Sequence, residues 1–180
     1  LRPSKAVAGV LLAGIVADTL FFQSPTTTEA DRTFAAWLEK ISGATAQELM
    51  DGMMSVASAL SALTPAKAVD SDRKTYAESG WTFSLAQLEE SNLALFHNQI
   101  DVLGAELDRV LAQEKLDFVA LLVTDPVRAT SELLFRGAES VRRALPWRTH
   151  ARGTFLLPGV LSRKKQLLPE VLSTLSGLAR

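Results

Sequence analysis

At 180 residues with 47% hydrophobic side chains, the chain is long enough for one full core or two small ones, and its lack of cysteine excludes a disulfide framework and a thiolate metal site. A net charge of −1 excludes a whole-protein field that would pull it toward nucleic acid or a membrane surface. The charge is uneven, however. Residues 127–180 hold ten Lys/Arg against three Asp/Glu, and residues 1–126 hold nine against seventeen, which reads either as an anionic ligand in the C-terminal third or as cations spread over solvent-facing positions.

Ala6 to Phe22 follows Arg2 and Lys5 and imitates a signal peptide. The run is short of the ~20 residues a membrane span needs. It also contains Asp18 and Thr19, and a helix over 4–22 buried on most sides is predicted instead. The absence of cysteine fits the cytoplasm. Ser24-Pro25-Thr26 breaks this helix. Thr26 with Glu29, or Thr28 with Asp31, has capping-box spacing for a second helix ending at Ser42-Gly43. A third helix is predicted over 45–62, and the polar stretch 64–72, opened by Thr64-Pro65, reads as a linker.

The pattern then changes. Lys74 to Ala77 and Trp81 to Leu85 alternate around Ser79-Gly80, a hairpin signal. Residues 92–113 place Leu93, Phe96, Ile100, Leu103, Leu107 and Leu111 at helical spacing. Phe118 to Val123 is a continuous apolar run, the mark of a buried central strand. A strand over 132–136, a short helix over 138–145, a strand remnant at 154–156 and a last helix over 163–178 follow. The fold class is therefore α/β: a helical N-terminal segment, then a domain with a mixed sheet packed by helices. A hydrophobic helical piece with no sheet to cover reads as the end of a domain that begins upstream, and the chain opens on Leu1 rather than Met.

Chemistry concentrates in few places. Leu157-Pro158-Gly159 reads as a turn and Ser162 as an N-cap, which puts Arg163, Lys164 and Lys165 on a helix start. That end already carries partial positive charge and unpaired N–H groups, so three cations there are unfavourable unless an anion joins them. Asp18, near the end of an apolar helix, needs a cation, a metal or a proton if buried; it reads either as a turn cap or as a metal ligand. Lys74, on a strand, shares its side with Tyr76. His97 and His150 lack partners at metal or triad spacing and read as structural or surface residues.

Three segments together resemble the manganese-dependent (family II) inorganic pyrophosphatases of the DHH phosphoesterase superfamily. Ala8 through Thr26 is similar to that family's helix running into an SPT turn, and Asp72-Arg73-Lys74-Thr75-Tyr76 to its D-x-K-x-F/Y strand. Leu157 through Gln166, LPGVLSRKKQ, is similar to its C-terminal signature, and Phe118 to Asp125 to its apolar strand ending in V-T-D. The resemblance implies that Asp18 ligates a catalytic metal and that Lys74, Arg163 and Lys164 hold the phosphates, with Ser162, Lys165 and Gln166 in support. It implies the tail of a DHH domain over 1–63, a hinge at 64–72 and a DHH-associated substrate-binding domain over 73–180.

The resemblance also implies manganese, or cobalt or magnesium, in the full-length enzyme, a cytoplasmic homodimer, pyrophosphate and phosphate as ligands, and the N-terminal DHH domain as partner. Neither nucleic acid nor membrane is implied. The chain departs from the family in having no Asp-His-His motif, so alone it is expected to bind no metal, to bind anions weakly and to hydrolyse nothing. A related phosphohydrolase such as an exopolyphosphatase, and a non-catalytic anion-sensing or interaction module, are the alternatives.

Overall fold

The computed structural model describes residues 2–56, 59–90 and 93–178. It divides into two compact units, Leu1–Ser58 and Ala59–Arg180.

The first unit holds α1 (Lys5–Asp18), α2 (Glu29–Ser42) and α3 (Ala46–Val56). Ser4 caps α1 by accepting Val7 N at 3.3 Å, and Ala8, Leu12 and Val16, four apart, are its buried stripe. They pack with Ala35 and Leu38 of α2 and with Ala46 and Met50 of α3. Burial is thus narrower than the all-round apolar sequence predicts: Val7, Val10 and Leu11 are exposed. The helix also stops four residues before Phe22. Thr19 Oγ1 donates to Ile15 O at 2.6 Å and accepts Phe22 N at 3.1 Å, and Leu20, Phe21 and Phe22 follow with φ of 46°, 53° and 62°. Three non-glycine residues in the left-handed region cost about 1–2 kcal/mol each. Of the two capping-box readings, Thr28 with Asp31 is the one formed, and Gly43 ends α2 at φ 72°.

In the second unit, α4 (Ala59–Ala62) and α5 (Pro65–Asp70) occupy the end of the predicted third helix and the predicted linker. Residues 57 and 58 of that helix, and residue 92 of the next, lie outside the described residues. The stretch 64–72, read from the sequence as a linker, contains the helix α5. Thr64 caps α5 by accepting Lys67 N, Pro65 takes the first turn, and Ala68 and Val69 are fully buried in the sheet-packing core.

The sheet has six strands in the order β1-β2-β3-β4-β6-β5: β1 (Lys74–Glu78), β2 (Trp81–Glu89), β3 (Phe118–Asp125), β4 (Thr130–Gly137), β5 (Arg148–Thr149) and β6 (Phe155–Pro158). All neighbours are antiparallel except β2 and β3, which α6 (Leu93–Gln113) connects. One face, with Ala86, Leu88, Val119, Leu121, Val123 and Leu134, packs on α4, α5 and α6. The other, with Phe83, Leu85, Phe118, Leu122, Leu133 and Leu157, packs on α7 (Glu139–Ala144) and α8 (Leu168–Ser176). With both faces covered, β3 is buried at every position, as its unbroken apolar run predicts. No helix among the described residues is long and apolar enough to cross a membrane.

Candidate functional site

The predicted last helix does not begin as an α-helix. Arg163–Leu167 form a π-turn that runs into α8. Pro169 accounts for the wide turn, because its ring would clash with the Lys165 carbonyl four residues earlier and it has no N–H to give. Widening this turn sets Arg163 inward, 5% exposed, and leaves Lys164 and Lys165 exposed.

Side chains hold the approach to this turn residue by residue. Gln166 Nε2 donates to Gly159 O at 2.7 Å, while its Oε1 accepts Leu161 N at 2.8 Å and Ser162 N at 3.1 Å. Ser131 Oγ donates to Val160 O at 2.5 Å. Gln87 Nε2 donates to Leu161 O at 3.0 Å, and its Oε1 accepts Arg163 N at 2.9 Å. Ser162 is the N-cap, its Oγ accepting Lys165 N at 3.2 Å. The dipole argument anticipated several free N–H groups at this end, but Arg163 N and Lys165 N are taken internally. Lys164 N is the one in the turn without a partner among the described residues.

The guanidinium of Arg163 reaches across to the start of the hairpin. Its NH1 lies 3.2 Å from Asp72 Oδ2 and its NH2 donates to Asp72 Oδ1 at 3.3 Å, with a long contact of 3.5 Å from NH1 to Leu85 O. Arg163 Nε is buried and has no hydrogen-bond partner among the described residues. Leu85 is the β2 residue paired in register with Lys74, and Asp72 precedes Lys74 by two positions. Lys74 is exposed and shares its side of β1 with Tyr76, whose ring stacks on Phe83 at 5.3 Å. The fold therefore brings the two basic segments, Asp72–Lys74 and Ser162–Lys165, to one corner of the sheet. Arg73 faces the other way and anchors the strand, its NH1 and NH2 donating to Glu114 at 2.8 and 2.6 Å and its Nε to Asp70 at 2.9 Å.

Asp18 is exposed at the end of α1, and among the described residues it has no hydrogen-bond or ion-pair partner. The turn cap is Thr19 rather than Asp18. His97 and His150 are closer to each other than their sequence positions suggest. His97 Nε2 lies 2.8 Å and His150 Nε2 4.0 Å from Oε1 of buried Glu132, whose Oε2 accepts Thr154 Oγ1 at 2.8 Å. Sequence reasoning quoted Asp72 without giving it a part and passed over Gln87, Thr124 and Ser131. One signal for Gln87 exists: at the parity of Trp81, Phe83 and Leu85 it is a polar residue among inward-facing apolar ones.

The chain belongs to the DHHA2 domain family, which matches residues 51–174. It is 32% identical over 169 residues to a protein of Streptococcus equi named a probable manganese-dependent inorganic pyrophosphatase, covering 93% of this chain and 54% of that protein. A manganese-dependent inorganic pyrophosphatase of Methanothrix thermoacetophila is 32% identical over 169 residues, covering 92% and 54%. A crystal structure from Methanococcus jannaschii, described as a family II inorganic pyrophosphatase, superposes with a TM-score of 0.81 at 28% identity, covering 98% of this chain and 58% of that one. The chain thus spans about half the length of the curated relatives it matches.

Those names imply manganese. Among the described residues no three His, Cys, Asp or Glu side chains gather where they could hold a metal ion.

Proposed function

We propose that this chain is the substrate-binding part of a manganese-dependent inorganic pyrophosphatase, in which Lys74, Arg163 and Lys164 hold the phosphates of diphosphate while it is hydrolysed to two phosphates. The observation that carries this reading is the Arg163 guanidinium, 5% exposed with an Nε that has no partner among the described residues, at the corner that also receives Lys74 and Lys164. Leaving a buried donor unpaired costs about 1–3 kcal/mol, more when it is charged, and a phosphate oxygen is the partner for which a guanidinium is shaped. Charge developing on transferred and leaving phosphates is stabilised by cations already in place. Ser162, Lys165 and Gln166 support the turn that carries Arg163.

The relatives named for pyrophosphate support the substrate, and their additional length supports a second, DHH-type domain as the partner, with residues 1–63 as its tail and 64–72 at the junction. In that arrangement Asp18 contributes one carboxylate to a metal site whose other donors lie outside the described residues. A cytoplasmic homodimer with no nucleic acid or membrane partner completes the reading.

Calorimetric titration of the 180-residue chain with pyrophosphate tests it. Binding should be detectable, and Arg163→Ala should weaken it by about tenfold or more, the loss of one charge-assisted contact. Hydrolysis of pyrophosphate by the purified chain alone, or unchanged binding in Arg163→Ala, overturns the proposal.

A further inference from the structure

We propose that Gln87 is the positioning residue for Arg163: its carboxamide clamps both sides of the Leu161–Arg163 turn to the sheet and sets where the guanidinium stands. The inference rests on the reading above that Arg163 holds phosphate. Gln87 lies on β2, 76 positions before Arg163 in sequence, and it uses both ends of its amide on that turn. Its Oε1 accepts Arg163 N at 2.9 Å and its Nε2 donates to Leu161 O at 3.0 Å, so the residues on either side of the Ser162 cap are fixed to one side chain. The carboxamide is held in turn. Its Nε2 donates to Thr124 Oγ1 at 3.2 Å, and Thr124 Oγ1 lies 3.0 Å from Oγ of buried Ser131, whose hydroxyl donates to Val160 O at 2.5 Å.

Gln87, Thr124 and Ser131 stand on adjacent strands β2, β3 and β4, so a row of three polar side chains crosses the sheet beyond the aromatic core of that face. Thr124 and Ser131 are fully buried. A buried polar row costs stability unless every member is satisfied, and here each member is satisfied by the next or by the turn. Its product is a guanidinium whose backbone is anchored to the strand that also presents Leu85, the register partner of Lys74. Binding an anion with rigid donors avoids the ordering cost that flexible ones incur, and this row fixes the backbone from which the Arg163 side chain extends.

The test uses the 180-residue chain with sodium pyrophosphate as probe. Gln87→Met keeps the volume and removes both hydrogen bonds to the turn together with the one to Thr124; Thr124→Val keeps Gln87 and removes its anchor. Binding should weaken about tenfold in Gln87→Met and less in Thr124→Val, as expected for one or two lost hydrogen bonds. On an Arg163→Ala background, Gln87→Met should produce no further loss, because the side chain it positions is gone; a merely structural role would weaken binding equally on both backgrounds. Independently of any ligand, amide exchange at Arg163 should quicken at least tenfold in Gln87→Met while that of β3 stays unchanged.

Unaltered Arg163 exchange, or additive losses in the double variant, overturns the positioning role. If Arg163→Ala itself leaves pyrophosphate binding untouched, the functional reading falls, and the exchange measurement still decides whether Gln87 orders Arg163.

Discussion

Arg163 and Gly137 show how a single position in this molecule is constrained by partners far away in sequence. The Arg163 guanidinium has its charge met by Asp72, 91 residues earlier, in a two-contact arrangement that a lysine ammonium does not reproduce. Asp72 itself sits at φ 41°, a left-handed conformation that turns the chain from α5 into β1 and aims its carboxylate at the π-turn. Gly137 ends β4 at φ 118°, where a Cβ would come within 2.4 Å of Asp117 O and 2.5 Å of Phe118 Cα. Both clashing atoms are backbone of the central strand entry and do not yield. Gly137→Ala is expected to destabilise the second unit by about 2–4 kcal/mol, read as a lower denaturation midpoint with little change in slope.

Among the elements, β2 packs on α6 through Ala86 and Leu88, whereas the mostly exposed β1 is tied to the end of α6 by charge, Arg73 just before the strand meeting Glu114 just after the helix. Hydrogen bonding to the Arg73 guanidinium holds the Glu114 carboxyl below its ordinary pKa of 4.5, and Glu114 raises that of Arg73 in turn. A carboxyl lowered in the folded state contributes stability above its unfolded value, and that contribution disappears as pH falls through the lowered one. Glu114→Gln should therefore cost about 0.5–1 kcal/mol at neutral pH, a screened value suited to a partly exposed pair. The variant and the parent should converge in stability well below pH 4.5, as measured by denaturation across that range. The π-turn belongs to this scale as well. A periodic apolar pattern with Ser162 at its head reads as a plain α-helix, and only the clash of Pro169 with the carbonyl of Lys165 explains why the first turn widens.

At the scale of the whole molecule, the core of α1, α2 and α3 shares no member, among the described residues, with the two cores that flank the sheet. Each unit is therefore expected to unfold on its own. Leu38→Ala, at a buried α2 position, should cost about 2–5 kcal/mol. In calorimetry it should lower one transition and leave the other, that of the sheet unit, in place; a single transition shifting as a whole would tell against separate units.

The sequence by itself determined the helices α1, α2 and α6, the buried central strand β3 and the hairpin. Those follow from local periodicity, turn chemistry and charge, which neighbouring residues suffice to express. The helix within 64–72 escapes a sequence reading because six residues with two buried side chains have too little periodicity to show, and so does the end of α1, because Thr19 and the left-handed run at 20–22 carry no glycine to announce them. Only the tertiary structure decided that Arg163 faces inward, that Asp72 meets its charge and that Gln87 fixes its backbone. Hydrogen bonds between strands and turns 76 and 91 residues apart depend on sheet order and register, and no local pattern encodes either.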